Sequence, residues 1–363
     1  LKKQLLSTSA IALGIAMAAP ASAQDWNMDW GGYQRAGVGY ADVSGTLATG
    51  MDLDGIDVFQ SGEIHFTPSV TLDNGLTFGV NIQLEGATSG DTIDETYITI
   101  SGDNLGTITI GSENSEGYRM SVGAPEATLM FINSPSVSAF IPFSAALTAG
   151  NQFRTAMIST YTEVGGNNDS QRISYRTPSF NGFQVGVSYA RDTSQEFSSG
   201  IDTNAAGVLS DIFDVAVAYS ATVGTADVAL SARWGTGDVA GAAPVGGTAE
   251  TWGLGASVGF NGITIGGSYG ENDNPGTVND VNGWSLGATF DAPGPWTFGL
   301  STYQGESDAP GSQEEYTAYK LGASRSLGTG VSWDIYVVDV EAKNTAGADV
   351  DGTAVGTTIN LSF

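Results

Sequence analysis

Cysteine is absent from the 363 residues, so no disulfide framework, thiolate metal centre or cysteine nucleophile can operate. Basic residues are scarce: 12 Lys and Arg stand against 39 Asp and Glu, a net charge of -27. That balance excludes nucleic acid as a partner, because neutralising phosphates needs clustered cations. Histidine occurs once, as His65. A Ser-His hydrolase would have to pair it with Thr67 or Ser69, and a zinc site would lack ligands. Long apolar runs are missing too, since the segment Ala10 to Ala19 is too short to cross a bilayer as a helix. Preceded by Lys2 and Lys3 and followed by Ala21-Ser22-Ala23, it reads as residues 1–23 of a secretory signal peptide, with a mature chain from Gln24.

What is present is alternation. In DNGLTFGVNIQLE, Asp73 to Glu85, every second residue from Leu76 onward is apolar and the gaps hold small or amide side chains. That is a strand with one greasy and one wet face. The pattern recurs in Phe183, Val185, Val187, Tyr189; in Trp252, Leu254, Ala256, Val258, Phe260; and in Val355, Thr357, Ile359, Leu361, Phe363. Counting the rows gives about sixteen strands, from Trp30–Ala41 to Ala354–Phe363. Each row spans about ten residues, the length of a tilted membrane strand.

Short turns such as Asp73-Asn74-Gly75 and Phe260-Asn261-Gly262 alternate with longer acidic connections, among them Val43 to Ile56, Asp192 to Asp211, Thr236 to Ala249 and Ala342 to Gly352. Short connections at one end and long ones at the other, with aromatics at the row ends, predict an all-β, transmembrane, antiparallel up-and-down barrel formed by residues 24–363 as one domain. A soluble sandwich or β-helix of the same period would leave edges to protect. Residues 114–168 depart from the pattern: they contain Pro125, Pro135 and Pro142, alternate little, and form a third long connection of the functional kind.

If the apolar rows face lipid, parity turns their neighbours inward. Arg35, Glu63, His65, Glu85, Arg172, Arg176, Arg233, Lys320 and Asp334 are then expected in the lumen. Two acidic loops, Asp52-Leu53-Asp54-Gly55-Ile56-Asp57 and Asp349-Val350-Asp351-Gly352, set oxygen ligands beside glycine. Asp52, Asp54 and Asp57 are therefore a calcium candidate, able to bridge to lipopolysaccharide phosphates, although neither loop matches an EF-hand and a solvated acidic loop is the plainer reading.

Together, the signal-like start, about sixteen rows, the long third connection and the closing strand GTAVGTTINLSF ending at Phe363 resemble the Gram-negative general diffusion porins, in the style of alphaproteobacteria. The resemblance covers the whole chain. It implies an outer-membrane homotrimer among lipid and lipopolysaccharide, with the third loop folded into the lumen and a terminal aromatic read by the insertion machinery. It implies passive passage of small hydrophilic solutes and ions, with no catalytic residue and no required cofactor. It also implies a constriction in which Arg35, Arg172 and Arg176 on the wall face Glu113, Glu116 and Glu126, with Arg119 and Arg154 nearby. One departure stands out, for the second connection, Glu85 to Ile93, is too short for the latch that such trimers often use. The acidic balance argues for modest cation preference. A substrate-selective porin would need an inward aromatic ladder, whereas Tyr33, Tyr97 and Tyr336 are scattered. The third reading is an exported soluble β-sandwich or adhesin-like binding protein.

Overall fold

The computed structural model describes residues 25–87, 92–143, 147, 153–194, 206–242, 246–275, 280–307 and 313–363. The expected signal peptide lies outside them. Seventeen strands form one sheet: β1 (Trp30–Ser44), β2 (Gly55–Phe66), β3 (Ser69–Thr71), β4 (Thr77–Glu85), β5 (Ile93–Gly102), β6 (Gly106–Ser112), β7 (Gln171–Arg176), β8 (Phe183–Asp192), β9 (Leu209–Val223), β10 (Ala226–Val239), β11 (Gly247–Phe260), β12 (Ile263–Asp273), β13 (Val281–Asp291), β14 (Trp296–Ser307), β15 (Glu314–Gly328), β16 (Val331–Asn344) and β17 (Asp349–Ser362). β2 and β3 both pair with β4 and are parted by Thr67-Pro68. Proline has no N–H to give the ladder, so these two segments are one interrupted stave and the barrel has sixteen.

Every pairing is antiparallel, and β1 pairs with both β2 and β17, which closes the sheet. Closure leaves no edge for another chain to extend. The seam is finished by Gly32, whose N–H donates to the Phe363 carbonyl at 2.9 Å and whose carbonyl accepts from the Phe363 N–H at 3.1 Å. At the short-turn end, Asn261 (φ 51°) and Gly262 (φ 78°) supply the two left-handed residues that a tight β11–β12 hairpin requires.

Exposure follows the parity read from the sequence. Leu254, Leu286, Leu300, Leu321 and Val355 are 50–62% exposed on the outer face. Such a continuous apolar surface is unsuited to water and suited to a hydrocarbon belt. Aromatic side chains cluster at both of its margins. Trp296 packs on Trp333 at 5.8 Å and Trp30 on Phe363 at 5.8 Å near the short turns, while Trp252 meets Tyr269 at 4.9 Å near the long loops.

Two features differ from the expectation. The long connections are shorter than read: β9 begins at Leu209, β10 runs to Val239 and β16 to Asn344. Above the hydrocarbon both faces of a strand meet water, so the ladder continues without its alternating apolar mark. Strand lengths are also unequal around the barrel. β6 and β7 have 7 and 6 residues, whereas β9 and β15 have 15. At ~3.3 Å per residue and ~45° tilt, six residues rise only about 14 Å against a belt of ~25 Å.

Candidate functional site

The third long connection leaves β6 after Ser112 and crosses to the inner faces of the longer strands. Its first turn, α1 (Glu116–Arg119), is capped by the Ser115 hydroxyl, which accepts from the Tyr118 N–H at 3.2 Å. The Glu116 N–H donates to Ser188 Oγ on β8 at 2.8 Å, the Val122 N–H to Ser231 Oγ on β10 at 2.8 Å, and the Leu129 N–H to Asp334 Oδ2 on β16 at 2.9 Å. The returning half makes a second tier. The Ala156 N–H donates to Asn272 Oδ1 on β12 at 2.9 Å, and Thr162 and Thr251 hydroxyls meet at 2.7 Å. Because the partners are the inward residues of β8 to β16, the loop lines that wall in two tiers.

Glycine admits it. A methyl group on Gly255 would lie 1.8 Å from the Val122 carbonyl oxygen, on Gly305 2.0 Å from that of Met157, and on Gly287 2.5 Å from that of Pro125. These inward glycines let loop backbone approach sheet backbone more closely than any side chain permits. Between loop and wall lies an apolar core. Ile132, Phe140, Ile141, Phe143 and Met157 pack against Tyr303, Tyr316, Tyr336, Val338, Val340 and Val350. Each such large side chain contributes about 1.5–3 kcal/mol by leaving water. Tyr336 thus belongs beneath the loop rather than to a lumen ladder.

Charged groups pin the same contact. Lys320 bonds the Glu126 carboxylate and donates to the Met130 carbonyl at 2.5 Å. Arg233 pairs with Asp214 at 2.5 Å, lies 3.9 Å from Glu163, and donates to the Thr162 carbonyl. The Ser115 N–H donates to Glu163 Oε1 at 2.8 Å, which ties the two halves of the loop together. Burial pushes the Asp169 carboxyl up, against the opposing charge of Arg154, and pushes the Tyr161 phenol up to about 12.

The inner faces of β3 to β5 and of the His65 end of β2 carry no such tiers and border a polar recess of about 410 Å³ whose walls include His65, Asn81, Gln83, Tyr97 and Thr99, whereas the loop still reaches β7 through Glu116 on Arg176 and upper β2 through Phe140 on Phe59 at 5.4 Å. Beside it His65 meets Glu63 at 2.9 Å, and Gln83 donates to Glu95 at 2.6 Å. The ladder between β4 and β5 shifts register at Ile82/Leu84. An extra residue there turns two successive acids inward, Asp94 toward Glu63 and Glu85, and Glu95 toward Gln83 and Asn114. A bulge breaks alternation, which is why sequence parity passed over both.

The expected constriction is thus redistributed. Arg176 pairs with Glu116 at 2.7 Å; Arg119 bridges Glu116 at 3.0 Å and Glu113 at 3.6 Å. Arg35 stacks on Tyr33 at 4.6 Å and donates to the Leu129 carbonyl at 3.3 Å, where the loop meets the bare side. Arg154 covers the Tyr118 ring at 4.1 Å. Arg172 is 4% exposed, with Nε and one terminal nitrogen unbonded. Arg233, Lys320 and Asp334 point inward as parity required, yet all three are sealed under the loop, which corrects their reading as water-facing residues. Glu126 likewise faces Lys320 instead of an arginine. Asp214 and Glu163 are not among the expected lumen residues, although Asp214 between Phe213 and Val215 carries the same signal as Asp334 between Trp333 and Ile335.

The calcium candidate is not assembled. Asp54 Oδ1 accepts the Val43 N–H at 2.7 Å, Asp57 follows parity to the inner face of β2, and Asp52 stays in the exposed connection. Among the described residues the carboxylates gathered within 4.8 Å are those of Glu63, Glu85 and Asp94. Phe363 closes the seam against Trp30, 58% exposed.

A family model described as Gram-negative porin matches residues 7–345. Among solved structures, an anion-selective porin from Comamonas acidovorans is similar with a TM-score of 0.64 at 19% identity, over 93% of this chain and 100% of that one. The outer-membrane channel DcaP of Acinetobacter baumannii is similar at 0.62 and 13% identity over 95% and 100%. The outer-membrane protein OmpT of Vibrio cholerae, in a trimer form, is similar at 0.62 and 12% identity over 93% and 99%. No curated protein matches the chain in sequence.

Proposed function

The chain belongs to the Gram-negative porins, outer-membrane channel proteins, and from that premise we propose that small hydrophilic solutes and ions cross it passively along the side of the lumen that the third loop leaves bare. The observation that carries this reading is the one-sided lining. The loop is bonded to β7 through β16, and the inner faces of β3 to β5 with the His65 end of β2 keep amide, hydroxyl, imidazole and carboxylate groups over a polar recess. Such a wall solvates polar solutes and offers apolar ones nothing in exchange for their passage through water. Arg35 on β1, with Glu63 and Glu85 on the neighbouring β2 and β4, sets opposite fixed charges along this wall.

A modest cation preference is supported by 39 acidic against 12 basic residues and by the removal of Arg233 and Lys320 from the water path into buried pairs. The Comamonas relative is anion-selective, and likeness at 19% identity extends to the fold alone. The zero-current potential of single channels in a potassium chloride gradient tests the preference, and an anion-selective sign overturns it.

A homotrimer is supported by the 6 and 7 residues of β7 and β6, too few to span a bilayer unaided. The outer row Val80, Ile98, Ile110 and Ile173 runs unbroken across this low wall. Cysteines placed at Ile98 and Ile110 should cross-link copies in native membranes. A monomer by native mass spectrometry from mild detergent would exclude the assembly.

A further inference from the structure

Apart from Arg191, Lys343 and Arg325, every basic residue after Lys3 points into the barrel or belongs to the third loop. Those three stand on the outer face, and their surroundings differ. Arg191 and Lys343 lie near the long-loop end and are neutralised, by Asp192 at 2.7 Å and by Glu315 at 2.9 Å. Arg325 lies near the short-turn end of β15, exposed, and no carboxylate pairs with it among the described residues. The ladder sets it between Trp296 and Trp333, its partners on β14 and β16. The two indoles lean together at 5.8 Å, and the guanidinium sits 5.6 Å from the Trp296 ring.

One step further into the belt, β15 presents Ala323, only 7% exposed, between Phe298 and Ile335. The small side chain floors an outer groove of about 710 Å³, lined by Phe298, Leu321, Ala323, Ile335, Val337 and Val355. An apolar groove facing hydrocarbon therefore begins beneath an unneutralised cation held by two interfacial tryptophans.

We propose that this is a binding site for an anionic phospholipid of the periplasmic leaflet, with the headgroup phosphate on Arg325 and an acyl chain over Ala323. A guanidinium matches phosphate geometry and is favoured where hydration is thin. Indoles hold the headgroup level, and the groove receives the chain. The charge contrast selects this occupant. The outward cations at the opposite rim already have carboxylates, and Arg325 pairs with none among the described residues, so an anion outside the chain is the counter-ion it suits.

The test is native mass spectrometry of the refolded, delipidated channel titrated with dioleoylphosphatidylglycerol, with dioleoylphosphatidylcholine as the zwitterionic comparator. Arg325→Gln should weaken phosphatidylglycerol binding about fivefold and leave phosphatidylcholine unchanged. Arg325→Lys should restore part of the loss, Ala323→Phe should weaken both lipids by filling the groove, and Arg191→Gln should alter neither. Single-channel conductance and heat-dependent electrophoretic mobility report whether each variant is folded. The proposal is overturned if Arg325→Gln binds phosphatidylglycerol like the parent, or if inorganic phosphate alone displaces the lipid completely. Efficient disulfide formation between copies carrying Ala323→Cys in native membranes would also overturn it, since a second copy would then cover the groove.

Discussion

Two halves of one sheet behave as different materials. From the His65 end of β2 to β5 the inner face is a single polar layer against water. From β8 round to β1 the same kind of face carries a two-tier loop, an apolar core and buried ion pairs. The short strands β6 and β7 stand between the two and the longest strands lie in the second, and a single event produces both. Where the chain leaves β6 for the lumen, the β6–β7 ladder must stop, and the long strands opposite gain an inner partner for their upper reaches. The proposed permeation path then belongs to the bare half and rigidity to the lined half.

The largest effect expected to break this division comes from Lys320→Met. It strands Glu126, 3% exposed in its side chain, without its cation, and removing one partner of a buried pair costs about 3–5 kcal/mol. Thermal unfolding in detergent should fall accordingly, and single-channel traces should become noisier as the loop detaches. Adding Glu126→Gln should recover most of the loss. If Lys320→Met alone leaves the melting unchanged, the pair does not hold the loop.

Next in size is the glycine seat. Gly255→Ala places a methyl 1.8 Å from a loop carbonyl, and such overpacking costs about 1–3 kcal/mol. On the bare wall, the nearest atom to a methyl on Gly79 is the rotatable Thr99 hydroxyl at 2.7 Å, so Gly79→Ala should be nearly neutral. Equal melting shifts for the two alanines would erase the distinction between the halves.

Arg35 stands at the boundary, bonded to the loop tip and open to the path. Arg35→Gln should shift stability by no more than about 0.5 kcal/mol, while the zero-current potential moves toward stronger cation preference because a fixed positive charge has left the path. A large melting shift with unchanged selectivity would reassign Arg35 to the lined half.

The bare half was the more legible in sequence, since one face was lipid and the other water, and period-two alternation reports that contrast directly. The barrel, its tight turns and its third connection were visible for the same reason. The lined half was harder to read. Tyr336-Val337-Val338 puts apolar side chains on both faces in succession, the mark of a strand buried twice, but the covering layer comes from residues over a hundred positions away. The inward glycines looked like wet-face fillers until the loop backbone was seen against them. Arginine positions followed from parity, whereas their partners did not, because which carboxylate meets which cation depends on the loop's path.

The smallest effect tests whether burial, rather than the Lys–Glu chemistry itself, separates the halves. Lys343 and Glu315 make the same kind of pair as Lys320 and Glu126, at 2.9 Å, but their side chains are 45% and 58% exposed at the barrel rim. Water already solvates both ions and salt screens them, so such pairs contribute about 0–1 kcal/mol. Lys343→Met should therefore move the melting temperature little at low salt and not at all in 1 M salt, where the screening length is about 3 Å. A loss approaching that of Lys320→Met would mean that the loop's shelter contributes nothing, and that any lysine–glutamate pair on this wall would serve equally well.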